Sequence, residues 1–481
     1  MLHVANVLGR LQIVFSLTYL APILCSLIYH DGMVWNFIDS MAISAAGGAL
    51  LYIATRRHMR ELKPRDGFLL VTLSWILMSS IAALPLVLAH DMSFTDAFFE
   101  TMSGLTTTGA TVMTGLDHAP QSINLWRHLL NWIGGMGIIV FAVAILPLLG
   151  VGGSQLYKAE TPGPMKDSKL TARIADTAKA LYLVYLGITL VCVLALKLAG
   201  LDWFDAICHA FAAMGLGGFS TRDASIGAFD SPWIEGVLTV FMLIAAMNFA
   251  THFLAFRGRS LRVYLADFEV RGVLIACLGS SALLAGYLVW TGTYPGYWTA
   301  LRHVSFNLVS IATDCGFAST DYGQWPIFVP LWMLFLSCVT ASSGSTGGGI
   351  KMVRTLILIG QARRDMLRLV HPNAVIPLKV GRVCVPESVA QSVLGFIFLY
   401  FMSVVLLTFV LLLSGLDFMS AFSAVIATIN NAGPGLGVVG PAGNYQGLSD
   451  FQTWVCSFAM LLGRLEVMSL LIIFSPGFWR K

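Results

Sequence analysis

Four short stretches place the same residue types at a regular interval. They are TTTGAT at Gly109, GLGGFST at Gly218, TDCGFAS at Gly316 and NNAGPG at Gly433. The glycines lie 109, 98 and 117 residues apart. Glycine lets a chain take positive φ or approach a neighbour closely, so successive carbonyls can face one side. Thr and Ser hydroxyls add further oxygens and brace the strand. A ring of neutral oxygens suits a monovalent cation that must shed its water. One such stretch alone reads as a turn between helices. Four in phase read as a pore lining.

Each stretch needs an element to position it. The segments are DAFFETMSGLTTTGATVMTGLD (96–117), DAICHAFAAMGLGGFSTRDASIG (205–227), HVSFNLVSIATDCGFASTDYGQW (303–325) and DFMSAFSAVIATINNAGPGLGVVGP (417–441). Each begins with about ten helix-compatible residues, roughly 15 Å of helix or half the hydrocarbon core. Each then reaches its glycine, and a new apolar span follows. This is an internal fourfold repeat of helix, half-helix, loop and helix. Asp96, Asp205 and Asp417 are expected to cap three half-helices, with His303 heading the third. Trp126, Trp233, Trp325 and Trp454 are expected in an interfacial belt. Glu100 reads as a buried brace or a pore-facing charge, the brace being favoured, and Asn307 holds the equivalent position. His209 and His303 are too isolated for a metal site.

Non-helical backbone at membrane depth must be buried in protein or line a wet path, and the composition places this chain in a membrane. Of 481 residues, 57% are hydrophobic and 11% charged, against roughly 25% charged in soluble chains. Apolar runs recur near 11–29, 35–55, 67–89, 126–150, 180–200, 232–256, 272–291, 326–359, 387–415 and 452–476. The expected fold is an all-α integral membrane protein with about ten membrane helices and four re-entrant hairpins. The first run ends in YHDG rather than at a small-residue cleavage site, so a true helix is expected there rather than a cleavable signal peptide.

Of 29 Lys and Arg, 24 fall within 56–65, 158–179, 257–271 and 351–382 or at Arg10, Arg480 and Lys481. Helices alternate correctly if these segments share one side, which the positive-inside rule makes cytoplasmic, with both termini. Loops flanking spans explain the basic residues without nucleic acid. Segments 158–179 and 351–382 suit a docked partner or lipid headgroups. The eight cysteines form no CxxC pair and read as small buried hydrophobes. Neither HExxH nor GxSxG occurs, and no carboxylate pair stands at helical spacing within a span, so no enzyme is expected.

The run SSGSTGGGIKMVR (342–354) interrupts an apolar span. As a phosphate cradle it fails: Ile350 separates Gly349 from Lys351, no hydroxyl follows the lysine, and no strand precedes it. A plain kink is the bland reading. The favoured one is a gate. Gly344, Gly347, Gly348 and Gly349 give backbone freedom, while Ser342, Ser343, Ser345 and Thr346 satisfy freed backbone groups. Arg464 stands inside the last span, where an unpaired guanidinium costs about 2.5–3.5 kcal/mol. It is expected to face the cavity and the glycine loop, or else to pack against another partner. Glu466, two positions on, lies on a different face. Gly134, Gly135 and Gly137 are expected to allow close helix packing.

Taken together, DAFFETMSGLTTTGAT, MGLGGFST, SSGSTGGGIK, NNAGPGLG and LLGRLEVMSLLIIFSPGFW resemble the superfamily of potassium transporters that includes the Trk, Ktr and plant HKT proteins. The likeness is closest to the bacterial TrkH/TrkG branch and covers essentially the whole chain. It implies one chain mimicking a tetrameric channel, with two extra N-terminal helices (1–63) before repeats at 64–157, 158–258, 259–370 and 371–481. It implies potassium as the transported ion, with rubidium accepted and no organic cofactor. It also implies a bacterial inner-membrane homodimer opened by a cytosolic ring of nucleotide-binding subunits that respond to ATP or NADH, and an intramembrane gating loop at 342–354. Carried over residue by residue, the ion-coordinating backbone is Thr107, Thr108 and Gly109; Leu216, Gly217 and Gly218; Asp314, Cys315 and Gly316; and Asn431, Ala432 and Gly433. Glycine at all four filter positions goes with potassium in this superfamily, and serine in the first with sodium. Asp314–Cys315 departs from the usual small or hydroxyl residues, and the side chain there is expected to point away from the axis. Gly433 lies 16 residues after Asp417, against 13 in the first two repeats, which leaves Gly435 as a rival. A secondary transporter coupled to protons or sodium is the alternative; it would need two inverted halves, whereas the four repeats run in one orientation.

Overall fold

The computed structural model describes residues 2–57, 64–90, 92–140, 174–381 and 383–480. The basic stretch 158–173 and residues 58–63 lie outside them. Among the described residues the only strands are the two-residue pair Lys379–Val380 and Val383–Cys384. Among the described residues six helices are long and apolar enough to cross a membrane, or up to eight if two bent pairs count as spans. Two of the expected membrane segments form as bent pairs. Pro232–Ala245 and Phe249–Gly258 meet at 96°, and Asp450–Arg464 and Met468–Phe474 at 115°. The run 326–359 is broken between Val339 and Met352, and the run 126–150 passes the described limit at 140.

At the N-terminus, α1 (Leu2–Ser16) and α2 (Leu20–Tyr29) make one span, and α3 (Val34–Thr55) packs back on it. Gly9 and Gly48 face each other at the crossing. A Cβ on either would stand 2.8 Å from the other's carbonyl oxygen, so only two glycines permit this approach. The pair leans on α4 (Pro64–Ala82), α5 (Leu84–His90) and α7 (Gln121–Val140). Trp126 stands at that seam, stacked on Tyr19 at 4.6 Å and donating from Nε1 to the Ala82 carbonyl at 3.0 Å. The four tryptophans do not form a belt. Trp126 is fully buried under the N-terminal helices and Trp325 nearly so against Tyr294 and Tyr322, whereas Trp233 is 78% exposed.

Four half-helices follow: α6 (Phe94–Leu105), α9 (Trp203–Gly215), α14 (Tyr297–Ala312) and α18 (Phe418–Ile429). At 12 to 16 residues each, they reach about 18–24 Å, short of a span. Asp417 caps α18 through Ser420 N, as expected. The caps of α6 and α9 are Ser93 and Asp202, each accepting from the amide of the Asp three residues on. Asp96 and Asp205 thus sit in the first turn, where a carboxylate still suits the dipole. The third half-helix begins at Tyr297, so His303 lies inside it.

Each repeat has a first helix: α4, α8 (Ile174–Leu198), α13 (Phe268–Trp290) and α17 (Glu387–Leu413). The outgoing elements are α7, then α10 (Pro232–Ala245) with α11 (Phe249–Gly258) and α12 (Arg262–Ala266). Next come α15 (Phe328–Val339) with α16 (Met352–Val370), and finally α19 (Asp450–Arg464) with α20 (Met468–Phe474). Every half-helix packs on the outgoing helix of the repeat before it: α9 on α7, α14 on α10, α18 on α15, and α6 on α19. The last pairing closes the circle, so four segments far apart in sequence meet about one axis.

Candidate functional site

The four stretches after the half-helices share one backbone conformation. Thr107, Leu216, Asp314 and Asn431 have φ of 56°, 54°, 64° and 58°, and Gly109, Gly218, Gly316 and Gly433 have 79°, 62°, 92° and 83°. The residue between each pair is not left-handed. Alternating hand cancels the helical rotation, which turns consecutive carbonyls toward the same side. For an L-residue the left-handed region carries a penalty; four occurrences in register mean the packing enforces it.

The glycines form a closed ring. A Cβ on Gly316 would lie 2.5 Å from the Ala432 carbonyl oxygen, and one on Gly433 2.5 Å from that of Thr108. One on Gly109 would overlap the Gly217 oxygen, and one on Gly218 the Cys315 oxygen. Each glycine thus lies against the carbonyl before the glycine of the neighbouring repeat, around all four repeats. Any side chain would push that carbonyl aside. Gly435 is not part of the ring: its Cβ position meets Val439 and Ser423. A cavity of ≈ 80 Å³ has all four glycines on its wall, with Arg127, Arg222 and Asp223 around it.

Behind each stretch a polar side chain of the half-helix holds the strand that leaves the ring. Glu100 accepts from Thr111 Oγ1 and Val112 N, both at 3.0 Å. His209 Nε2 meets Ser220 Oγ at 2.9 Å. Asn307 accepts from Ser319 N at 3.1 Å, and Ser423 from Leu436 N at 2.8 Å. Glu100 is thus a brace. His209 holds the same position, nine residues before its glycine, a spacing legible in the sequence for Glu100, His209 and Asn307 alike. Arg127 donates to Glu100 at 2.8 Å with both side chains buried, and reaches the Ser220 carbonyl of the next repeat at 3.2 Å. The signal that singles out Arg464, a charge inside an apolar run, also applies to Arg127.

On the half-helix side lies the loop between α15 and α16, with Ser342, Ser343, Ser345 and Thr346 buried. Gly347 packs near the Thr313 carbonyl, Gly348 against that of Asn430, and Gly349 near that of Ser337. Gly344 abuts the Asn248 side chain, and Ser345 Oγ turns back to the Ser342 carbonyl at 2.7 Å. Thr346 Oγ1 donates to the Met214 carbonyl at 3.2 Å. The loop therefore touches the carboxyl ends of α9, α14 and α18. Asp314 turns away from the neighbouring repeats toward this loop, its Oδ2 accepting from Gly348 N at 3.1 Å. Arg464 donates to the Thr346 carbonyl at 3.0 Å and to that of Gly134 at 2.8 Å. Glu466 pairs with Arg354 at 2.7 Å instead. Gly134 and Gly135 lie close against Leu105 and Gly215, while a Cβ on Gly137 would stand 3.8 Å from Trp75. Among the described residues, no group of His, Cys, Asp and Glu could hold a metal.

A family model described as a cation transport protein, TrkH, matches residues 34–279 and 295–481. The chain belongs to the TrkH family. The Trk system potassium uptake proteins TrkH of Halomonas elongata and Escherichia coli K12 are 46% and 45% identical over 480 and 481 residues, covering 99% of each chain. The crystal structure of the potassium transporter TrkH from Vibrio parahaemolyticus matches with a TM-score of 0.91 at 43% identity, over 100% of this chain and 99% of that one. This TrkH-family chain is accordingly a multi-span helical membrane protein of a transporter family, not an enzyme. Its ring, braces and loop lie where the four repeats converge.

Proposed function

We propose that this chain takes up potassium across a bacterial inner membrane through the glycine-carbonyl ring. The observation that carries the reading is the closed cycle Gly109–Gly217, Gly218–Cys315, Gly316–Ala432, Gly433–Thr108. The carbonyls of Thr107, Thr108, Leu216, Gly217, Asp314, Cys315, Asn431 and Ala432, with those of the four glycines, replace the ion's water. The names of the close relatives support potassium as the ion, and an oxygen ring sized for potassium is expected to pass rubidium too.

The loop 342–354 acts as the gate. It lies against the carboxyl ends of three half-helices, between the ring and the cytosolic side, and Arg464 holds it there while placing a positive charge on the ion's route. Withdrawal of the loop is driven by a cytosolic ring of nucleotide-binding subunits, on a homodimer whose termini are cytosolic. The repeats divide at residues 64, 158, 259 and 371. A fourfold ring supports a channel-like path over alternating access between two inverted halves.

The test is ion flux into liposomes holding the purified chain. Potassium and rubidium should pass at least about a hundredfold faster than sodium or lithium, a difference of about 2.8 kcal/mol. Equal sodium flux would overturn the selectivity.

A further inference from the structure

We propose that the elbow of α11 and α12 holds an anionic phospholipid, its chains in a neighbouring groove and its headgroup on three arginines, and that this lipid steadies the glycine loop. The second half rests on the gating reading above; the first does not.

The elbow turns 96° away from α10. It runs into α13, whose 23 residues reach about 34 Å, enough to cross the hydrocarbon core. The elbow therefore lies at one membrane boundary. It exposes Phe256 (84%), Leu261 (78%) and Leu265 (71%). Between them stand Arg257, Arg259 and Arg262, all exposed and without an ion pair among the described residues. Bulky apolar side chains beside unpaired arginines on a short segment lying along the membrane boundary fit an anionic interface.

A groove of ≈ 1170 Å³ opens between α8 and the elbow. Leu183, Ile188 and Phe241 are among its apolar walls, and Arg259 and Ser260 lie at the elbow. An apolar trough calls for hydrocarbon and a basic end calls for an anion. An anionic phospholipid joins both in one molecule, which is why it is the chosen occupant.

The elbow is tied to the loop directly at the bend before it and indirectly through the start of α13. Ser342 N donates to the Ala246 carbonyl at 3.0 Å, and Phe249 N to the Gly344 carbonyl at 3.2 Å. Ser343 N donates to Glu269 Oε2 at 2.7 Å, and Thr251 Oγ1 to Asp267 Oδ2 at 2.8 Å. Moving the elbow must therefore move residues 342–344.

The experiment uses the full chain and R257Q/R259Q/R262Q. Native mass spectrometry with phosphatidylglycerol and phosphatidylcholine reads binding, independently of transport. The wild type should retain phosphatidylglycerol at least about tenfold better than phosphatidylcholine, and the variant should lose that preference. Glycerol phosphate, a headgroup without chains, should not displace the lipid. Equal retention of both lipids, undiminished retention by the variant, or displacement by glycerol phosphate would overturn the site. Potassium flux reads the coupling. It should fall about threefold in vesicles with phosphatidylglycerol for the wild type and stay level for the variant. Bound lipid with an identical flux response in both proteins would overturn the coupling alone. No potassium flux under any condition would count against the transport reading and leave the binding result standing.

Discussion

Asp314 Oδ2 accepts a hydrogen bond from Gly348 N at 3.1 Å, joining the third turn of the ring to the glycine loop. The equivalent side chains in two other repeats face a helical glycine of the outgoing helix: Thr107 lies beside Gly134, and Asn431 beside Gly463. In the third repeat that helix is replaced by a loop with amides to satisfy, and a carboxylate stands opposite. Leaving a buried donor such as the Gly348 amide without its partner costs about 1–3 kcal/mol. Asp314→Ala should therefore loosen the loop and raise partner-free flux by at least about tenfold, since 1.4 kcal/mol is a factor of ten. Asp314→Asn keeps an acceptor and should stay within about threefold of the wild type. Flux from proteoliposomes lacking any partner distinguishes these outcomes.

The ring leaves no room for a side chain at its glycines. At Gly316 a Cβ would meet the Ala432 oxygen at 2.5 Å and Pro434 Cδ at 2.9 Å, at a φ of 92°. Gly316→Ala should displace the Ala432 carbonyl and cut the potassium-to-sodium flux ratio at least about tenfold. Gly435→Ala presses instead on Val439 and Ser423, behind the ring, and should cost expression before selectivity. Paired flux and yield measurements separate the two.

Glu100 and Arg127 form a buried ion pair at 2.8 Å, with side chains at most 1% exposed. Breaking a buried pair from one side typically costs about 3–5 kcal/mol, because the partner charge is stranded. Arg127→Met and Glu100→Gln should each lower the melting temperature in detergent. Arg127→Met with Glu100→Gln should melt above Arg127→Met alone, since no stranded charge remains. A double variant that melts at the sum of the single losses would speak against coupling.

Periodicity and composition make the half-helices and the four glycines legible, because glycine, short apolar runs and following polar residues are all local signals. The bends are not. Asn248 caps α11 after a break at Ala245, yet the run 232–256 reads as one continuous apolar span. The bend follows from packing against residues 342–344, which lie about a hundred positions away. Glu269 is missed for the same reason: at the start of α13 it looks like an ordinary first-turn acid, and its contact with Ser343 N is tertiary. Trp126 shows the opposite error. Its place at the head of a span suggests an interface, but α1, α2 and α3 cover that position.

Arg464 closes the site from the fourth repeat. Its two donated bonds, to Thr346 and Gly134, link the loop to repeat 1 as well as repeat 4. Both acceptors are backbone carbonyls, so the charge is solvated by dipoles rather than by a carboxylate. Arg464→Ala removes both bonds and the positive charge. Losing one charged bond already exceeds the 1.4 kcal/mol needed for a tenfold shift between closed and open loops. Potassium flux without a partner should thus rise at least about tenfold. Arg464→Lys retains the charge but cannot fork to two carbonyls 118 and 330 residues away in sequence. It should fall between the wild type and Arg464→Ala. A flux in Arg464→Lys equal to that in Arg464→Ala would assign the gate to hydrogen bonding alone. If flux were unchanged in both, the arginine would be holding helices together rather than the loop.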